Sequence, residues 1–396
     1  MLREMIIRRT PQDFRVIERL AGGLVRSEGS HAIYEVEKTS LTTPEASQRL
    51  ASQLKLKANK VEYAGLKDKH AVTLQAMSVD GFEEAPERLE APGFRARLLG
   101  FLDRHLVAAD IECNEFEITV RDATREQCRS MDRRGEALLL DESGTLGFVN
   151  YFGEQRMGSN RHGAGFVARR LVEGDFEGAL RLAIGTPARK DTGARRELTR
   201  ALATHWGEWK RIVRTVPGCP QRAAVEALEA GASWKEAYAA LPHFDQQMHV
   251  EAFQSHLWNA VAAALVRSLP PEDLIPSTDV AQDGMVFPTA AHWTSERRSL
   301  QLPMLCETTR LEGAWGRAAR DVLAAEGLTI DRLRIPGLRR PAFSEAARPL
   351  FAAASGATVT ASEPDYLGRA GRLKRTLRFN LPRGAYATVL LRALGQ

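Results

Sequence analysis

The sequence is poor in the features that announce most functional classes. Only four of its 396 residues are cysteine: Cys113, Cys128, Cys219 and Cys306, with no Cys-x-x-Cys and no paired histidines nearby. That argues against a disulfide scaffold, a zinc ribbon or an iron–sulfur site, and reads the four as small buried hydrophobes in a reducing compartment. The nine histidines are scattered. His249 and His256 share a helical face, but with no third ligand they read as core or surface residues, so no metal is expected. No Gly-x-Gly-x-x-Gly, Walker loop or Gly-x-Ser-x-Gly elbow is present, so dinucleotide binding, nucleotide hydrolysis and serine-esterase chemistry lose their usual support. The longest clean apolar run, Ala260–Val266, falls far below the roughly 20 residues of a bilayer span. The first residues, interrupted by Glu4, do not make a secretory signal. No membrane association is expected, and the cytoplasm is the expected location.

What is present is a long, core-forming chain with 44% hydrophobic and 27% charged residues. Its net charge of +5 is mild, and the distribution says more than the sum. Basic residues cluster at Arg189–Lys190, Arg195–Arg196, Lys210–Arg214, Arg297–Arg298, Arg339–Arg340 and Arg369–Arg378, the last with five cations and no acid. Any one cluster reads as a solvated face. Six along one chain point to a polyanion, and nucleic acid leads as the partner.

The first 150 or so residues read as strands with a few helices. Phe14–Glu18 alternates, with Phe14, Val16 and Glu18 on one face, and Ala32–Lys38 alternates with Tyr34 and Val36 inward. Thr43 reads as an N-cap with Pro44 after it, opening a helix through Ala46, Leu50 and Leu54. Val72–Val79 reads as a strand, and Glu115–Asp122 sets Phe116, Ile118 and Val120 against polar neighbours. From about Phe166 to Ala347 the texture becomes Ala-rich and helical, over Phe176–Ile184, Arg222–Ala230, Trp234–Leu241, Val250–Val266 and Gly313–Ala325. Pro-rich breaks separate these. Arg378–Leu394 returns to a strand, a turn at Pro382–Gly384 and a helix. This order predicts one domain inserted into another.

Two segments carry candidate chemistry. Tyr63–Gln75 (YAGLKDKHAVTLQ) places Lys67, Asp68, Lys69 and His70 in a turn between two strands. An aspartate flanked by cations suits a nucleophile or base, although spacing alone fits an ordinary turn with a solvated charge cluster. Asn150–Gly163 (NYFGEQRMGSNRHG) joins two aromatics, amides and two arginines, which suits stacking on bases and equally suits a structured linker between domains. Phe14, Phe116 and Phe379 lie on apolar strand faces, where core packing is the default.

With these segments together, the chain resembles the tRNA pseudouridine synthase D (TruD) family. The resemblance is carried by DF-x-V-x-E at Asp13–Glu18, YAGLKDKHAVT at Tyr63–Thr73 and N-x-F at Asn114–Phe116. It continues in NYFGEQR at Asn150–Arg156, FQSHLWN at Phe253–Asn259 and FNLPRGAYAT at Phe379–Thr388. Cys113 stands where the family usually has Gly, and Met157 where an aromatic usually follows. The resemblance implies an α+β pseudouridine synthase fold, a mixed and mostly antiparallel sheet with flanking helices. On that basis residues 1–157 and 347–396 form the catalytic domain, and 158–346 form an inserted, helix-rich TRUD domain. It further implies Asp68 as the catalytic carboxylate, with Phe14, Asn114, Phe116 and Phe379 shaping the uridine pocket and Glu18 supporting it. Either Arg8 or Arg9 would pair with Asp68. The implied reaction, uridine to pseudouridine in tRNA near position 13, is an isomerisation that needs no cofactor and follows extrusion of the base. The carboxylate attacks C1′, adds to C6 or removes the C2′ proton, and the sequence leaves these routes open. A non-catalytic RNA-binding protein or RNA chaperone is the competing reading, against which stands Asp68 in an intact GLKD. A methyltransferase would need a cofactor loop that is not found. With no coiled coil or exposed apolar stripe, a monomer is the default.

Overall fold

The computed structural model describes residues 5–154, 156–157, 164–188, 191, 193–277 and 284–396. The alternating segments become strands: β1 (Phe14–Leu20), β2 (His31–Thr39), β3 (Val61–Tyr63), β4 (Val72–Asp80), β5 (Arg88–Ala91), β6 (Phe94–Leu102), β7 (Ile111–Ala123) and β8 (Leu146–Val149). Two helices lie among them, α1 (Thr43–Gln53) and α2 (Arg125–Leu138). The helical stretch holds α3 (Val167–Val172), α4 (Phe176–Ile184), α5 (Gly193–His205), α6 (Trp209–Thr215), α7 (Arg222–Glu229), α8 (Trp234–Ala239) and α9 (His243–Arg267). It continues with β9 (Leu274–Pro276), β10 (Val286–Pro288), α10 (Ser295–Ser299), β11 (Gln301–Pro303) and α11 (Gly313–Ala325). The chain then returns to strands with β12 (Ala347–Pro349), β13 (Phe351–Val359), β14 (Glu363–Pro364) and β15 (Leu373–Pro382), and closes on α12 (Ala387–Ala393).

The large sheet has 11 strands, ordered β5-β6-β2-β4-β1-β7-β15-β13-β8, with β3 added on β4 and β14 on β15. Only β1 and β4 pair in parallel; the other pairings are antiparallel. The architecture is therefore α+β with a mixed, mostly antiparallel sheet, as expected. Strands from both ends of the sequence meet at its centre, where β7 lies between β1 and β15.

One apolar core lies under this sheet, around Phe14, Ile118, Phe148 and Leu390, and another lies among the helices, around Leu171, Leu198, Val225 and Leu323. Helix α9 serves both. Val250, Phe253, Leu257 and Val261 face the helical core, while Trp258, Ala262 and Val266 face the sheet core. A helix apolar on two sides is a buried one, which accounts for its 25 residues and weak one-sidedness.

Two local expectations change. The N-cap of α1 is Thr42, not Thr43: its hydroxyl accepts from the Glu45 N–H and Glu45 returns a bond to the Thr42 N–H, a full capping box. Helix α9 begins at His243, two turns before Val250, because polar residues fill its first turns and hide the apolar period. The same charge-rich masking hid α5, whose Arg195–Arg196 cluster pairs with Asp191 and Asp245. The Arg189–Lys190 cluster lies outside the described residues.

Candidate active site

Register brings the site together. Residues opposite each other on neighbouring strands face the same side. Lys38 of β2 lies opposite Thr73 of β4, Thr73 beside Val16 of β1, Val16 opposite Phe116 of β7, and Phe116 opposite Phe379 of β15. Next to this row, Glu18 lies opposite Asn114 and Asn114 opposite Leu381. Residues from position 14 to position 381 thus share one face, with the loop between β3 and β4 above it.

That loop, which holds Asp68, is tied down on every side by its backbone and its cations. The Lys67 N–H donates to the hydroxyl of buried Thr43 at 2.9 Å, which donates to Gln75 Oε1, and Gln75 Nε2 donates to the Gly65 carbonyl. Thr43, read from the sequence as a cap, is instead this anchor. Lys67 turns inward: its Nζ lies 2.6 Å from Glu18 Oε2 and 2.6 Å from Asn114 Oδ1, bridging a cross-strand pair. Glu18 also accepts from the Ala76 N–H. Lys38 is fully buried, and its ammonium donates to the carbonyls of Leu41 and Asp68, each at 2.8 Å. Burial pulls the Lys38 pKa down to about 8, against the opposing pull of the Asp68 charge.

The Asp68 carboxylate meets Arg8 Nη2 at 2.9 Å. Arg8, not the exposed Arg9, is the partner, and its guanidinium sits 4.3 Å over the Phe14 ring. These groups floor a cleft of about 270 Å³ lined by Arg8, Phe14, Leu66, Asp68, Asn114 and Phe116 on one side. The opposite wall is the turn after β15, with Arg383, Gly384, Tyr386 and Thr388. Phe379 and Glu18 are buried behind this surface: Phe379 stacks on Phe116 at 5.4 Å, and Glu18 holds Lys67. Among the described residues no group of three or more His, Cys, Asp or Glu side chains is placed to hold a metal.

The Asn150–Phe152 segment does not face the cleft. Tyr151 and Phe152 are buried, so their rings pack rather than stack on bases. Asn259 clamps the Phe152 peptide from both sides, donating to its carbonyl at 2.9 Å and accepting from its N–H at 2.8 Å. Arg348 crosses this joint. It donates to the Asn150 carbonyl and side chain and to the Gly384 carbonyl, with its guanidinium 4.1 Å from the Phe152 ring. Burial lowers its pKa to about 10. Gly153 abuts the cleft wall so closely that a Cβ would lie 2.9 Å from Tyr386 Cδ1 and 3.1 Å from Thr388 Oγ1. The segment is therefore a joint that supports the far wall of the cleft. Gln155 and residues 158–163 of the same motif lie outside the described residues.

Comparison with known proteins decides the family. The family model for tRNA pseudouridine synthase D (TruD) matches residues 3–394. The tRNA pseudouridine synthase D of Aquifex aeolicus is 30% identical over 400 residues, covering 98% of this chain and 97% of its own. That of Geobacter metallireducens is 31% identical, covering 98% and 93%. The chain belongs to the tRNA pseudouridine synthase D (TruD) family. Its fold is shared with a crystal structure of the Methanosarcina mazei TruD chain, at a TM-score of 0.68 and 22% identity, covering 98% and 92%.

Within this TruD chain the motifs now have physical meanings. GLKD is the pinned loop, N-x-F supplies the Lys67 acceptor and the ring backed by Phe379, and FQSHLWN supplies the Asn259 clamp and the Trp258 face against Phe152. Met157, in place of an aromatic, packs against the sheet core. Sequence reasoning missed Lys38, Thr43, Gln75, Arg348, Arg383 and Tyr386. Lys38 left a signal, since it continues the inward phase of Tyr34 and Val36. The basic run Arg369–Arg378 turns out to be paired: its five cations share four carboxylates, Asp122, Glu363, Asp132 and Glu117. Lys210, Arg214, Arg339, Arg340 and Arg383 have no ion-pair partner among the described residues.

Proposed function

We propose that this tRNA pseudouridine synthase, an isomerase, converts the uridine at position 13 of tRNA to pseudouridine, with Asp68 as the reacting carboxylate. The N1–C1′ bond breaks, the uracil turns, and C5 joins C1′; the C5 proton leaves and N1 takes one up. The bookkeeping closes without a cofactor. Attack at C1′, addition at C6 and removal of the C2′ proton all begin with a carboxylate beside the nucleotide, and the Asp68–Arg8 pair on the floor of the cleft is the observation that carries the reading. Arg8 keeps positive charge against that carboxylate, and the Lys38 ammonium adds a second cation at its carbonyl.

A cleft of about 270 Å³ suits one extruded nucleotide rather than a helix. Extrusion costs a few kcal/mol, and stacking returns about 1–3 kcal/mol per base. Phe116, supported from behind by Phe379, offers the ring. Asn114 and Arg8 suit stabilisation of the detached, negatively charged uracil in a site closed to water. Residues 1–157 and 347–396 act as the catalytic domain and 158–346 as an inserted domain, whose unpaired cations hold the RNA backbone as a monomer in the cytoplasm. No helix among the described residues is long and apolar enough to cross a membrane.

Carbodiimide labelling and primer extension on unmodified tRNA transcripts, after incubation with the purified chain alone, test the substrate. A new, carbodiimide-dependent stop one nucleotide 3′ of position 13 is expected. Tight tRNA binding with no stop at any uridine would favour the RNA-binding or chaperone reading instead.

A further inference from the structure

Leu66 stands two residues before Asp68 and is 67% exposed. Single exposed leucines are ordinary on protein surfaces. What sets this one apart is its place and its backbone. Of the exposed large apolar side chains among the described residues, it alone lines the cleft that holds Asp68. The peptide groups on both sides of it are bonded to buried partners, Gly65 through its carbonyl to Gln75 and Lys67 through its N–H to Thr43. The loop therefore has no slack with which to fold Leu66 away. The space before it is open, since a Cβ on neighbouring Gly65 would meet nothing within 4 Å.

We propose that Leu66 is a wedge that enters the RNA base stack as the target uridine leaves it, filling the vacated level while Asp68 receives the extruded nucleotide. This rests on the reading that Asp68 isomerises an extruded uridine. Two residues of chain span at most about 7 Å, about two stacking steps of about 3.4 Å each. Wedge and carboxylate thus reach the gap and its former occupant together. Leucine is among the apolar side chains that insert between base steps, and an apolar side chain shields the gap from water without competing for the hydrogen bonds of the extruded base.

The test separates unstacking from chemistry. 2-Aminopurine is placed beside the target uridine of a tRNA, and its fluorescence is read on binding Asp68→Asn and Asp68→Asn/Leu66→Ala at saturation. Brightening with the first and little with the second is expected; equal brightening overturns the wedge. In turnover, Leu66→Ala should lose about tenfold in kcat/KM on folded tRNA, the worth of one stacking contact. It should lose less than about twofold on a short single-stranded RNA bearing the same uridine, with Leu66→Met close to wild type on both. Equal losses on the two RNAs would make Leu66 a loop-packing residue and overturn the proposal. If wild type turns over neither RNA, the functional reading fails, and the fluorescence pair still decides the wedge.

Discussion

The GLKD loop and the Asn150–Gly153 segment look alike as candidates in the sequence: short, glycine-containing, with cations and aromatics in or beside them. Folding gives them opposite roles. Around Asp68 the backbone and Lys67 are turned inward and bonded, so that Leu66 and the carboxylate are left facing the cleft. Around Phe152 the side chains themselves are turned inward, and Asn259 and Arg348 hold the backbone between them. A distinctive motif thus marks a constrained segment, and only the direction of its side chains says whether the constraint serves chemistry or assembly. On the proposed function one segment is the working surface, while the other keeps the opposite wall in place.

The contrast breaks most sharply if the first loop proves to matter for stability or the second for chemistry alone. Asp68→Asn should lower kcat by at least about 10³-fold, as loss of a reacting group does, with tRNA affinity and urea midpoint unchanged. Arg8→Ala should follow with about a 10²-fold loss in kcat, partly recovered by Arg8→Lys, because the charge beside Asp68 is restored but not the planar fork. Arg348→Met should show the opposite signature. It leaves the Asn150 and Gly384 carbonyls without their donor, and urea unfolding should report about 2–4 kcal/mol of lost stability. A wild-type urea curve with lost kcat would contradict the assignment of Asn150–Gly153 as a joint.

Lys38 sharpens the same comparison through pH. Asp68 and Glu45 favour its charge, while burial and Lys67 oppose it. Its pKa near 8 means that kcat should fall as pH rises through about 8, when the ammonium on the Asp68 carbonyl is lost; Lys38→Met should lack that inflection. Stability moves the other way. Between about 8 and the ordinary lysine value of 10.5, the unfolded chain holds a proton that the folded one has released. Wild type should therefore gain stability over Lys38→Met as pH rises across that window. The smallest effect concerns the cations. Arg383→Ala should weaken tRNA binding a few-fold and reduce the salt slope by about one, whereas Arg378→Ala, already paired with Glu117, should change it less.

Much of this was legible because strands write their alternation into the sequence. Phe14, Val16 and Glu18 on β1 and Ile118 and Val120 on β7 could be placed by period alone, and Asp68 by the loop between two such strands. Lys38 was legible in principle, as the next inward position of β2, but a lysine there is read by habit as exposed. Arg348 left no trace, because its partners are carbonyls and rings contributed by residues of several types. The pairing of Arg369–Arg378 was equally hidden. Asp122 and Asp132 lie more than 240 residues away from Arg369 and Arg375, so a run with no acid of its own looked free when the fold had given each cation a partner.

The proposed function requires Asp68 to isomerise a tRNA uridine in this cleft. Tritium release from tRNA carrying [5-³H]uridine, measured with wild type and Asp68→Ala side by side and nothing else added, addresses it most directly. Wild type should release the C5 label while Asp68→Ala binds the same tRNA and releases none. Release by both proteins would remove Asp68 from the chemistry, and release by neither, with tRNA bound, would contradict the isomerase reading.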